Sequence, residues 1–213
     1  MSPRIVVVGS GGHAKVVADT IFAQGGFELI GFLDSDAAKW GSSVLKWQVL
    51  GGDDFLERNP ELGVKHFVVA IGGHRSTELR VELFSRYVGM RLTPATFVHP
   101  SAVVSPFAHL GLGTIVLANA TVQASAKVGS NVIVNTSAIV EHDCVVGDHV
   151  QLSPRATLAG GVVVEERAFV GTGAVVLPFC RIGARAIVGA GAVVTRDVLP
   201  NAVVYGVPAK SRK

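Results

Sequence analysis

The chain has 213 residues, of which 49% are hydrophobic, 16% charged and 7% aromatic, with 25 glycines and a formal net charge of +3. That is enough for one large domain or two small ones, with small aliphatic side chains in the core and many turns built on glycine. Scattered basic residues, gathered only in the tail Lys210, Arg212 and Lys213, argue against a nucleic-acid surface, and no apolar run approaches the ~20 residues of a membrane span, so the expectation is a cytoplasmic protein.

The first half reads as alternating strands and helices. Arg4 to Val8 is a buried-strand run, and Gly9-Ser10-Gly11-Gly12-His13-Ala14 follows it as a G-x-G-x-x-A loop. A helical stretch from Lys15 to Ala23 leads to a second strand, Phe27 to Leu33, which ends at Asp34-Ser35-Asp36. His66 to Ile71 reads as a third buried strand ending at Gly72-Gly73, a helix spans about Ser76 to Tyr87, and Leu92 to Phe97 leads onward. Residues 1–95 therefore match a Rossmann-like half domain of an α/β fold. A glycine loop opening a helix after a parallel strand offers backbone N–H groups to an anion. Asp34 stands near the place of a ribose-binding acid. The same pattern also serves as a plain tight turn.

From Val98 to Val194 every sixth residue is Val, Leu or Ile. The position four residues further on, from Ala102 to Val198, is always small. Period six is the signature of a parallel β-helix, so residues 96–213 are expected to wind as a triangular prism. Each hexapeptide gives a short strand and a corner, and three of them close a coil of 18 residues. Glycine recurs at the second position of the unit (Gly111, Gly129, Gly147, Gly171, Gly183, Gly189), where a tight corner is expected. Cys144 and Cys180 fall on one inward column two coils apart. At ~4.8 Å per coil they are separated by ~9.6 Å, beyond the ~7 Å a disulfide spans.

Seven histidines are His13, His66, His74, His99, His109, His142 and His149. In the repeat, His142 takes a corner position within Val140-Glu141-His142-Asp143-Cys144, so its side chain points outward. An imidazole with a pKa near ~6.5 suits the removal of a proton from an amine or hydroxyl attacking a thioester. A carboxylate would orient it, with Asp143 the first choice and Glu141 the alternate. One coil on stands Gly160, in Gly160-Gly161. Its N–H suits a developing oxyanion, although the pair would also serve as a corner.

The segment Asn135-Thr136-Ser137-Ala138-Ile139-Val140-Glu141-His142-Asp143-Cys144 resembles the signature of the hexapeptide-repeat sugar O-/N-acyltransferases. That family includes sialic acid O-acetyltransferase-like proteins and the N-acetyltransferases of nucleotide-linked 4-amino sugars of the bacillosamine and perosamine type. The likeness extends to Gly9 through His13, Asp34-Ser35-Asp36, Ala70-Ile71-Gly72, His99-Pro100-Ser101-Ala102 and Gly206-Val207-Pro208-Ala209-Lys210. It implies a left-handed prism, a homotrimer with active sites between neighbouring prisms, acetyl-CoA as co-substrate and no metal. It also implies His142 as base with Asp143 as partner. Gly11, Gly12 and His13 would lie near the phosphates and sugar of the nucleotide sugar, Asp34 and Ser35 near the base, and Gly72 along the pocket. Pantetheine would pass Gly160, with Thr172 and Ala190 giving backbone contacts from the neighbouring prism. Some relatives carry a histidine where this chain has Gln151, which is accordingly expected to touch CoA without acid–base work.

A zinc enzyme on the same prism would need three converging histidines, and no two histidines here are one or two coils apart. A non-catalytic scaffold would leave the His142-Asp143 corner and the glycine loop without a purpose. Within acyl transfer, N-acetylation of a nucleotide-linked amino sugar is the first reading and O-acetylation of a sugar or sialic acid the second.

Overall fold

The computed structural model describes residues 2–73 and 77–211. His74, Ser76 (the expected helix start), and Arg212 and Lys213 of the basic tail lie outside them. Strand β1 (Arg4–Val8) is lined on both faces, as a β-branched run in a parallel sheet should be. Helix α1 (Gly12–Gln24) buries Ala14, Val17, Ala18 and Ile21, an i, i+3, i+4, i+7 stripe that commits one face to the sheet. There follow β2 (Glu28–Leu33), the hairpin β3 (Ser43–Val44) and β4 (Trp47–Gly51), α2 (Phe55–Arg58), β5 (His66–Val69), α3 (Glu78–Gly89) and β6 (Thr93–Pro94). The sheet order is β3-β4-β2-β1-β5-β6, parallel except within the hairpin. The expected strands and helices are present within a few residues of their predicted bounds; β3 and β4 had no periodic signal and were not anticipated. Side chains of β1 alternate: Ile5 and Val7 pack with α1, while Val6 and Val8 pack with Leu83 and Tyr87 of α3.

The segment Leu92 to Phe97 serves two sheets. Ala95 N–H still donates to Phe67 O at 2.9 Å, whereas Phe97 N–H donates to Thr114 O at 3.0 Å. From β7 (Phe97–Val98) onward, two-residue strands stack in three parallel faces. Ile115 pairs with Ile133 and Ile133 with Gln151 on one face, Thr121 with Ile139 on the next, and Lys127 with Val145 on the third. The spacing of 18 holds until the last coil, where Ile187 pairs with Val203, two residues short. The branched and small columns from Val116 to Val194 form one buried core, with Cys144 and Cys180 in it as free thiols.

The corners differ from the sequence expectation. From Gly113 to Gly191 every sixth residue has a positive φ, and most of these are not glycine: Asn131, Asp143, His149 and Arg167 are among them. The glycines two positions earlier have another cause. A Cβ on Gly129 would lie 2.8 Å from Asp148 N, and one on Gly171 2.6 Å from Ala190 N. They are small because the next coil's backbone touches them.

The α/β part sits on the prism. Phe97, Ile115 and Leu117 join the α1 side of its core. On the other side Arg80 of α3 is 1% exposed and donates to the carbonyls of Asn131 and His149, the latter at 2.6 Å. Burial lowers its pKa to about 9, so it keeps its charge at neutral pH.

Candidate active site

Val140 and Cys144 anchor the corner by pointing inward, fully buried. Between them the chain must turn outward, and His142 and Asp143 are 61% and 66% exposed. Asp143 takes the left-handed conformation (φ 60) that brings its carboxylate back to the ring, with Oδ2 2.8 Å from His142 Nδ1. Glu141 Oε2 instead accepts from the His142 backbone N–H at 3.4 Å. Asp143, not Glu141, is therefore the ring's partner. A carboxylate only accepts, so the bond places a proton on Nδ1, and in the neutral ring Nε2 then carries the lone pair.

The ring lies on Gly160. A Cβ there would be 2.6 Å from both Cε1 and Nε2 of His142. The left-handed corner of that coil belongs to Gly161 (φ 68). Gly160 is thus small because the imidazole covers it, and its N–H has no acceptor among the described residues. A free amide beside a lone-pair nitrogen is the pairing that addition to a thioester carbonyl requires.

A second constellation forms where β1, β2 and β5 end, the usual ligand edge of a parallel sheet. Ser10 donates to Asp34 Oδ2 through both its hydroxyl and its N–H, the latter at 3.1 Å. Asp36 N–H meets Oδ1 at 3.0 Å and Lys39 Nζ meets Oδ2 at 3.1 Å. Partial burial pushes the Asp34 carboxyl up, but the bonds from Ser10, Asp36 and Lys39 outweigh it and hold the pKa below the usual carboxylate value. Gly11 caps α1 with no side-chain bond, and open space surrounds Gly11 and Gly12, leaving the first-turn amides free for an anion. His13 packs against Gly72, whose Cβ position is 3.5 Å from that of His13. Burial, then the charge of Arg80, lowers its pKa to about 4, so the ring is neutral at pH 7, and its buried Nε2 has no partner among the described residues. Beside this loop is a cavity of about 220 Å³ lined by Gly9, Asp34, Ser35, Asp53, Glu82 and Arg86 among others.

The PglD N-terminal domain family matches residues 4–86, and the bacterial transferase hexapeptide (six repeats) family matches residues 161–196. The crystal structure of PerB from Caulobacter crescentus in complex with CoA and GDP-perosamine is 41% identical with a TM-score of 0.91, covering 98% of this chain and 97% of that one. The acetyltransferase domain of PglB from Neisseria gonorrhoeae, in complex with acetyl coenzyme A, is 34% identical with a TM-score of 0.89, covering 100% of both. The chain belongs to the hexapeptide-repeat sugar O-/N-acyltransferase family. A Bacillus subtilis relative, UDP-N-acetylbacillosamine N-acetyltransferase, is 39% identical over 115 residues; the match spans 54% of this chain and about half (51%) of that protein.

With that kinship the prism of this acyltransferase is a left-handed β-helix. Its two constellations do not meet within one chain. The α/β part rests on the face carrying Ile115 and Gln151 and on the adjoining corner of Asn131 and His149, while His142 occupies the corner opposite that face. Thr172 and Ala190 stand exposed at the third corner, one coil apart, a full face from His142. Within the chain, Gln151 Oε1 accepts from Gly73 N–H at 2.9 Å and its Nε2 donates to Gly73 O at 2.8 Å, so both ends of the amide hold the loop to the prism. Sequence reasoning missed Ser10 and Arg80. Arg80 did leave a signal, since it shares the α3 stripe with Phe84 and Tyr87, a charge where the pattern wants an apolar residue.

Proposed function

We propose that this chain is an acetyl-CoA-dependent N-acetyltransferase acting on the amino group of a nucleotide-linked 4-amino sugar. Residues 1–95 hold the nucleotide sugar and residues 96–213 the acyl donor. The observation that carries the reading is the His142–Asp143 pair lying on a bare Gly160 whose N–H has no acceptor among the described residues. The relatives bound to CoA with GDP-perosamine, and to acetyl coenzyme A, support it.

The amine nitrogen attacks the thioester carbonyl as its proton passes to His142 Nε2. Negative charge gathers on the carbonyl oxygen at the Gly160 N–H, and Asp143 stabilises the imidazolium. The C–S bond then breaks, and the departing CoA sulfur takes the proton from His142. Gly11, Gly12 and His13 face the phosphates and sugar, Ser35 and Asp34 the base, and Gly72 the wall between them, with Asp34 acting mainly by fixing the loop through Ser10. His142 and the α/β part lie on different sides of one prism, so another copy must complete the site, and the family resemblance makes the working unit a homotrimer. A neighbouring copy then presents its sugar site to His142, and the Thr172 and Ala190 backbone of an adjacent prism flanks the pantetheine arm beyond Gly160. We place the reaction in the cytoplasm, where acetyl-CoA and activated sugars are made.

The test is CoA thiol release from acetyl-CoA with UDP-, GDP- and dTDP-linked 4-amino sugars beside free sialic acid. Release with one nucleotide amino sugar is the expected result. Release only with a hydroxyl acceptor would overturn the N-acetyl assignment.

A further inference from the structure

Phe179 is not used by the mechanism above, and it is poorly placed for a residue of no consequence. It is 80% exposed, at a corner whose φ of 62 is the conformation shared by every sixth residue of the prism. Among the described residues no other ring packs against it. Its N–H donates to Gly160 O at 3.1 Å, a backbone bond that Asn or Gly would make as well. An aromatic ring left largely in water is unfavourable, and exposed apolar surface beside polar groups marks a place where a ligand or partner binds.

The position of the ring says which contact. It folds back onto the preceding coil, and a Cβ on Gly161 would be 2.6 Å from its Cδ1 and 2.7 Å from its Cε1. The imidazole of His142 covers Gly160 from the coil on the other side. Two rings from two different coils thus overlie the adjacent glycines Gly160 and Gly161. Leu177, 39% exposed, extends the apolar surface.

We propose that Phe179 forms the apolar wall of the acyl-donor site, its ring against the thioester sulfur and the carbons next to it. The inference rests on the transferase reading given above. Sulfur at the edge of an aromatic ring is a favourable contact, whereas the phosphates and hydroxyls of a nucleotide sugar gain nothing from a bare benzene face. By displacing water the ring also strengthens the bond from the Gly160 N–H to the carbonyl.

Phe179→Asn is the decisive variant, because Asn tolerates the left-handed corner and keeps the fold. KM and kcat for acetyl-CoA and for the nucleotide sugar are measured together with the mass in solution by sedimentation. The expected result is a KM for acetyl-CoA raised about tenfold, equivalent to ~1.4 kcal/mol. The sugar KM and the mass stay unchanged, and Phe179→Leu recovers most of the loss. An unaltered KM for acetyl-CoA overturns the proposal. A lighter species overturns it too, and would assign the ring to the subunit contact together with Phe107, 79% exposed on the same corner column. A wild-type protein inert toward every acceptor would instead bring down the transferase reading, and this proposal with it.

Discussion

Replacing Gly160 by Ala tests whether catalysis depends on the imidazole lying against that corner. The backbone of Gly160 is not in the left-handed region, so Ala fits without strain. The added methyl would stand 2.6 Å from Cε1 and Nε2 of His142, well inside contact distance. The ring, 61% exposed, is free to swing away, and in doing so it loses the 2.8 Å bond to Asp143. A general base contributes roughly 10²–10⁴-fold, so His142→Ala should lower kcat by that factor. Gly160→Ala, which displaces the base rather than removing it, should lower kcat about 10²-fold with the melting temperature unchanged. The two losses must not add, because both act on one imidazole. Thiol-release kinetics on the two single variants and the double variant decide the matter. Retention of activity within about threefold in Gly160→Ala would refute the placement of the base, as would a double variant far slower than His142→Ala.

Asp143→Asn keeps the left-handed corner and should lower kcat roughly 10–100-fold, less than for a buried carboxylate because solvent screens this pair; single-turnover rates will show it. Arg80→Met leaves the carbonyls of Asn131 and His149 without their donor, which should destabilise the chain by about 2–4 kcal/mol in urea unfolding. Gln151→Ala frees Gly73 and should raise the KM for the nucleotide sugar several-fold; a rise confined to acetyl-CoA would instead assign the side chain to the cofactor. Acid should begin to destabilise the fold above the usual carboxylate range. His13 titrates at about 4 when folded against 6.5 when unfolded, so the unfolded chain binds the extra proton in between. Stability is complete above that window and falls by roughly 3 kcal/mol as pH drops through it; urea midpoints at pH 7, 5.5 and 4.5 measure the slope, which His13→Gln should flatten.

Much of this molecule was legible in its sequence. Where side chains repeat with a fixed period, each coil repeats its neighbour, and numbers 18 apart become vertical neighbours; that placed Gly160 on His142 and kept Cys144 from Cys180. The strand–loop–helix opening was equally plain, because buried β-branched runs and a glycine turn are local signals. The hairpin of β3 and β4 was not, since β3 has only two residues and the five of β4 show no clean run of apolar or alternating positions.

The sequence by itself determined the prism, its register and the chemistry of the His142 corner, all consequences of short-range periodicity and of adjacent residues. The tertiary structure decided what depends on contacts between distant segments. Arg80 is buried because carbonyls 51 and 69 residues away accept from it. Gln151 is a tether because Gly73, 78 residues earlier, meets it. The choice of Asp143 over Glu141 followed from a backbone angle that adjacent sequence does not reveal. The separation of His142 from the α/β loops followed from which face that unit covers, and docking of one folded unit on another has no period to read.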